Sequence, residues 1–299
     1  QAQRAKLLSQ PRLFALALLM AVGVLVIAAA GIAGDLRLQV SATASVSVAL
    51  SVASFFVLPR TLALSNLYMM LSRACYLDLS GSLAYYYTAG PGCAPGAPGF
   101  SYSYYLTVSR FVGAIGGGLG SVLFQGMASW TFRQAFWVTT AVQILASSFD
   151  LVIVKRWNLQ VGVSDELAYL FGDAMVQQLS SMLQMMPMAL LTSRMCPRGA
   201  EATVYAILAG FQNFGCSVSS VLGVWLTQSL GVETSGAADP LGSCDFSNLG
   251  TAIAVAHLAL PLLSVPLTFL LVPAVRMDDD LAFSDRSPLP SFPPSPRSP

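Results

Sequence analysis

LFALALLMAVGVLVIAAAGIA, residues Leu13–Ala33, runs from end to end without a charged side chain. A helix of about 20 apolar residues covers the hydrocarbon core of a bilayer, so this run predicts a membrane-spanning helix. Arg4, Lys6 and Arg12 precede it. That start resembles the charged end of a signal peptide. The apolar run is longer than a signal core, however, and no small-residue cleavage site stands out. More runs of the same kind follow, which makes this the first spanning helix of an all-α membrane protein.

Composition agrees. The 299 residues are 55% hydrophobic and 10% charged, with a mean hydropathy of +0.66. A soluble domain carries roughly 25% charged residues. A net charge of +1 without a basic patch excludes nucleic acid as a partner. Five cysteines without a C-x-x-C pair suggest no metal site, and nothing in the chain implies a cofactor. Beyond the first run, spanning helices are predicted over Val40–Leu58, Leu62–Tyr87, Tyr104–Ala128, Phe132–Val154, Leu167–Leu191, Ala202–Gly231 and Thr251–Val272. Residues 1–12 form a short N-terminal segment. Residues 274–299, with Ser287-Pro288, Pro293-Pro294 and Ser298-Pro299, read as a disordered Pro/Ser-rich tail.

Eight helices put both ends on one side. With the N-terminus in the cytoplasm, the inner side holds ten of the Lys and Arg residues and the outer side three, Arg37, Lys155 and Arg156. This satisfies the positive-inside rule, and both termini are expected to be cytoplasmic. Cys93 and Cys244 then share the outer side, which predicts a disulfide between them; the alternative is two free thiols in loops.

The charges left at membrane depth carry the functional reading, because each is costly unless it faces a partner or a water-filled path. Asp150 lies one to two turns inside its helix, ahead of Lys155, Arg156 and Trp157, and Asp173 follows in the next helix. The two acids suit a shared cation or proton, or a pairing with Arg156; the plainer reading is a structural salt bridge. Arg73 and Asp78 are five residues apart, which does not align them on one face. Arg110 sits two turns into a helix with Gly113, Gly116, Gly117, Gly118 and Gly120, residues that permit close helix packing, static or sliding. Tyr85–Tyr87 and Tyr102, Tyr104 and Tyr105 read first as an interfacial belt, and second as platforms for a flat ring. His257 reads first as a hydrogen-bonded packing residue, and second as a proton relay. A membrane aspartyl protease fits poorly: its glycine-x-glycine-aspartate motif would need a glycine where Leu170 stands. The chain is expected not to be an enzyme.

Several stretches together resemble a known family. They are Phe100-Ser101-Tyr102-Ser103-Tyr104-Tyr105, Phe136-Trp137-Val138-Thr139-Thr140, Asp150 to Asn158, Gly172-Asp173-Ala174, Met186-Pro187, Cys196-Pro197-Arg198-Gly199-Ala200-Glu201, and Gly210 to Gly215 with Asn213. His257 with Leu260-Pro261-Leu262-Leu263 completes the set. The chain resembles the folate–biopterin transporters of the major facilitator superfamily over about residues 60 to 273.

That resemblance implies a twelve-helix bundle of two six-helix halves. The eight helices here would be the last eight. Residues 13–58 would close the N-terminal half, 59–273 would form the C-terminal half, and a chain lacking the first four helices would not transport alone. The implied activity is secondary transport of folate or biopterin across a plasma membrane or plastid envelope by proton symport, with the solute, protons and lipid as partners. Another small organic solute, or a non-transporting scaffold, is the alternative. Arg73, Arg110 and the tyrosines are expected to contact substrate, and Asp78, Asp150 and Asp173 to couple it. Arg156 and Asp173 sit where the family pattern holds charge. Pro197, Arg198, Gly199, Glu201 and Asn213 form a structural motif at the inner loop.

Overall fold

The computed structural model describes residues 11–195, 201–234 and 244–279, without the side chains of residue 195 and residues 201–203. Helices account for the described residues, apart from loops and two isolated β-bridges. In chain order they are α1 (Pro11–Ile32), α2 (Leu36–Val57), α3 (Arg60–Ala74), α4 (Ser80–Thr88), α5 (Ser109–Gln125), α6 (Phe132–Val154), α7 (Met175–Met195), α8 (Glu201–Ser229), α9 (Leu249–Ile253) and α10 (Ser264–Leu271). Among the described residues, six helical spans are long and apolar enough to cross a membrane: Pro11–Ile32, Leu36–Val57, Tyr104–Gln125, Phe132–Val154, Val204–Ser229 and Leu249–Leu271. The chain is an all-α membrane protein. The two remaining predicted runs also form helix. The one with α7 carries Gln177, Gln178 and Gln184, and the other is broken.

The broken run corrects the sequence reading, which drew one helix from Leu62 to Tyr87. The helix stops at Ala74 and resumes at Ser80. No Pro or Gly lies between Cys75 and Leu79, so the break is held from outside. The Asp78 amide donates to the Ser219 carbonyl at 3.3 Å, the Ser219 hydroxyl donates to the Tyr76 carbonyl, and His257 reaches the Leu77 carbonyl. Gly223 on α8 lets the Asp78 backbone cross; a Cβ there would overlap it. The Asp78 carboxylate turns back to accept from the Ser80 amide at 2.9 Å, satisfying one orphan donor of α4.

Local chemistry explains the regular helices. Asp35 caps α2 by accepting from the Arg37 amide. Thr131 and Gln134 form a reciprocal capping box at the start of α6. Close packing of α5 on α7 depends on glycine: a Cβ on Gly120 would lie 2.6 Å from the Leu179 carbonyl oxygen, and one on Gly116 would overlap the Met175 backbone. Three π-helical segments, Tyr104–Val108, Ala168–Ala174 and Ala254–Ala259, interrupt the helices beside α5, α7 and α9. The buried apolar residues fall into two clusters. One contains Tyr68, Phe132, Phe136, Leu191, Phe211 and Phe214. The other contains Leu77, Tyr86, Tyr87, Phe100, Ile153, Tyr169 and Ile253.

Candidate functional site

Helix α6 runs through both clusters, from Phe132 in the first to Ile153 in the second. Between them its inward face changes character to Gln143, Ser147 and Asp150, all buried. Around this polar layer opens a cavity of about 660 Å³. Asp150 and Asp173 line it, as do Asp78 and Arg110, together with Tyr76, Tyr87, Tyr105, Tyr169, Gln177 and His257. Four of the six charged residues singled out in the sequence therefore meet at one place.

Asp150 is only 2% exposed. Its Oδ1 accepts from the Tyr87 hydroxyl at 2.6 Å, and its Oδ2 lies 4.0 Å from His257 Nδ1. Asp173 is half-buried in the π-helical segment before α7. Arg110 is exposed at the cavity edge and makes no ion pair among the described residues. A polar belt continues below: Tyr76 and Ser147 hydroxyls meet at 2.9 Å, and the Gln177 amide donates to both. Gln184 donates to Gln143.

Two expected residues sit elsewhere. Arg156 pairs with neither Asp150 nor Asp173. It occupies a left-handed conformation with φ 61° just past α6, and its guanidinium binds Asp165 at 2.8 Å. Asn158 donates to the other Asp165 oxygen at 2.7 Å, so this loop closes on itself. Arg73 lies on α3, does not line the cavity, and keeps a buried Nε without a hydrogen bond. Pro197, Arg198 and Gly199 lie outside the described residues. Glu201 opens α8, its side chain likewise undescribed, and Asn213 is exposed on that helix.

The tyrosines divide. Tyr85 and Tyr102 are exposed and suit an interfacial belt. Tyr87 and Tyr105 do not: they face the cavity and pack with Phe100 and Tyr169 at centroid distances of 5.0 to 6.0 Å. The sequence reading favours the belt for all of them and misses Tyr76 and Tyr169, whereas Gln177, on the helix that contains Pro187, is of the polar kind expected to line a cavity and does so. A tyrosine on an apolar helix gives no sign of which way it points, and only the three-dimensional crossing collects them.

Over the aromatic cluster, Cys93 and Cys244 are joined by a disulfide with Cα atoms 4.9 Å apart, and the Cys244 amide donates to the Cys93 carbonyl. This ties the loop after α4 to the loop before α9.

A buried carboxylate, a second one half-buried, an arginine with no ion pair among the described residues and a wall of tyrosines around one cavity suit a solute path through a membrane. Comparison with known proteins decides the family, since the model of the BT1 family matches residues 3–288. The chain belongs to the BT1 family. This is a family of membrane transporters, not enzymes. The BT1 chain is 29% identical to "Probable folate-biopterin transporter 6" of Arabidopsis thaliana over 75% of its own length and 41% of that protein. It is 32% identical to "Probable folate-biopterin transporter 5" of the same plant over 64% of its length and 36% of that protein. Against the "Folate-biopterin transporter" of Synechocystis sp. the identity is 29%, over 55% of this chain and 31% of that one. The chain thus spans about two-fifths or less of these curated relatives. No solved structure matches it.

Proposed function

We propose that this BT1-family chain supplies the C-terminal part of a secondary transporter that carries folate or a related pterin, coupled to protons. The observation that carries the reading is the cavity itself. Asp150 and Asp173 face it from adjacent helices, Tyr87, Tyr105 and Tyr169 wall it, and Arg110 stands at its edge without an acidic partner. Folate has a flat pteridine and two carboxylates. Tyrosine faces suit the ring, and a guanidinium suits a carboxylate. A carboxylate in a poorly solvated place suits proton coupling, either by taking the proton itself or by serving as counter-charge to a neighbouring group that does. In this reading the relatives' names supply the substrate class. Residues 59–273 act as one half of a major-facilitator-type bundle, residues 13–58 close the other half, and both termini are cytoplasmic. The cavity faces the interface between the halves, where such transporters bind their solutes. The membrane is the plasma membrane or a plastid envelope.

The test is uptake of labelled folate and biopterin into folate-auxotrophic cells expressing the full-length protein, with and without Asp173→Asn. Saturable uptake that rises in acid and falls at least tenfold in the variant is expected. Absence of uptake of either compound, with the protein at the membrane, would refute the substrate. Uptake that is unchanged in Asp173→Asn would remove Asp173 from the coupling.

A further inference from the structure

His257 stands where three elements meet. It lies in the π-helical segment Ala254–Ala259 and is 3% exposed, yet it lines the cavity. Its Nε2 is 2.9 Å from the Leu77 carbonyl oxygen in the helix break. A carbonyl only accepts, so Nε2 carries the hydrogen and Nδ1 keeps its lone pair. That Nδ1 is buried without a hydrogen bond and faces Asp150 Oδ2 at 4.0 Å. The Tyr76 ring lies flat against the imidazole, with centroids 4.3 Å apart and planes 6° from parallel. A buried, unpartnered acceptor aimed at a carboxylate, with a π-face beneath it, is a receptive place for a proton.

We infer that the coupled proton binds His257 Nδ1, between the imidazole and Asp150, and that its occupancy is transmitted to the helix break through Leu77. This rests on the proton-coupled reading above and names the group that does the coupling. A proton from cavity water bonds to the Nδ1 lone pair, and the Nε2–H bond is untouched. The imidazolium then pairs with Asp150 Oδ2, gains from the Tyr76 ring, and donates a charge-assisted hydrogen bond to Leu77, stronger than the neutral one. The segment Cys75–Leu79, which Ser219 on α8 also holds, is therefore tied more firmly to the α9 side when the proton is bound and less firmly when it leaves. The charged and titratable groups facing this site are Asp150 on α6, Tyr76 and Asp78 in the break, Tyr87 on α4, Tyr169 and Asp173 before α7, and Tyr105 and Arg110 across the cavity.

The test uses the full-length protein in liposomes, with labelled folate or biopterin as the probe. Counterflow exchange reports binding and turnover without a proton gradient; accumulation under an inward pH gradient reports coupling. His257→Gln keeps an amide donor for Leu77 but cannot be protonated. It is expected to lose gradient-driven accumulation, and its pH dependence, at least tenfold more than it loses exchange. Accumulation in His257→Gln with the wild-type pH profile would overturn the inference and leave proton coupling standing. A wild type that exchanges but never accumulates refutes the coupling reading itself. Should His257→Gln fail to reach the membrane, Asp150→Asn decides. Accumulation that persists with its pH dependence moved to lower pH, as expected when the imidazolium loses its counter-charge, supports His257 as acceptor. Loss of accumulation with exchange intact would place the proton on Asp150 instead.

Discussion

The two ends of the helix bundle are built differently, though the same helices run through both. The end around Phe132, Phe136, Leu191 and Phe211 is closed by apolar packing and by backbone pairing of the segment after α10 with the loop before α6: Phe132 donates to Val275, and Met277 to Trp130. The Arg133 guanidinium donates to the carbonyls of Val272 and Phe269, and the Trp137 indole donates to Thr268. Its helices are regular. The other end holds the cavity tyrosines, the disulfide, all three π-helical segments found among the described residues, and the break at residues 75–79. Irregular turns leave backbone carbonyls such as that of Leu77 free to meet side chains, and π-turns gather at functional sites for that reason. One end holds the helices together; the other gives up regularity to hold polar groups around a cavity.

This contrast is broken or sharpened most strongly by a pair of substitutions, one at each end. Phe136 is buried and packs on Tyr68 at 4.8 Å. Phe136→Ala leaves a cavity and should cost roughly 2–3 kcal/mol, below the usual range for such a change in a soluble core, because in a bilayer the transfer contribution between helices is small. Thermal unfolding in detergent should show the loss, with the pH profile of uptake unchanged. Tyr87→Phe removes one hydroxyl at the other end. Leaving the Asp150 oxygen without its donor costs about 1–3 kcal/mol, so the melting temperature should fall by no more than for Phe136→Ala, while uptake falls about tenfold. If Phe136→Ala shifted the pH profile and Tyr87→Phe did not, the division between a structural and a functional end would be wrong.

The closed end was the legible one. Its apolar runs gave the helices Phe132–Val154 and Pro11–Ile32 nearly to the residue, and Thr131 with Gln134 marks the start of α6 by local chemistry alone. The cavity end was legible in its charges and not in its shape. Asp150, Asp173, Asp78 and Arg110 announced themselves as costly residues in apolar surroundings. The break did not, because Cys75-Tyr76-Leu77-Asp78-Leu79 contains no helix breaker and is held open by Ser219 and His257, more than a hundred residues away. The pairing with Arg156, one of the alternatives offered for Asp150 and Asp173, is not found for a related reason: Arg156 has a left-handed backbone and binds Asp165, and a non-glycine residue at positive φ is not foreseeable from sequence.

The smallest effect expected belongs to an ion pair at the closed end, the one found there among the described residues. Arg276 donates from Nε and Nη2 to the two oxygens of Asp278 at 2.9 and 3.0 Å, and holds that carboxyl below the usual carboxylate range. A carboxyl with a lowered folded-state pKa contributes stability above its unfolded pKa, and that contribution is lost as pH falls through the folded one. Both side chains are about half exposed, so water and salt screen the pair. Arg276→Gln should therefore lower the melting temperature barely measurably at neutral pH. The difference should disappear in high salt, and again in acid once the pH has fallen through the lowered folded-state pKa and Asp278 is protonated in both proteins. The backbone pairing of this segment with residues 130–132 survives the substitution, since it uses main-chain groups of Val275 and Met277. A large, salt-sensitive loss of stability in Arg276→Gln would mean that charge, rather than apolar packing and main-chain pairing, closes this end of the bundle.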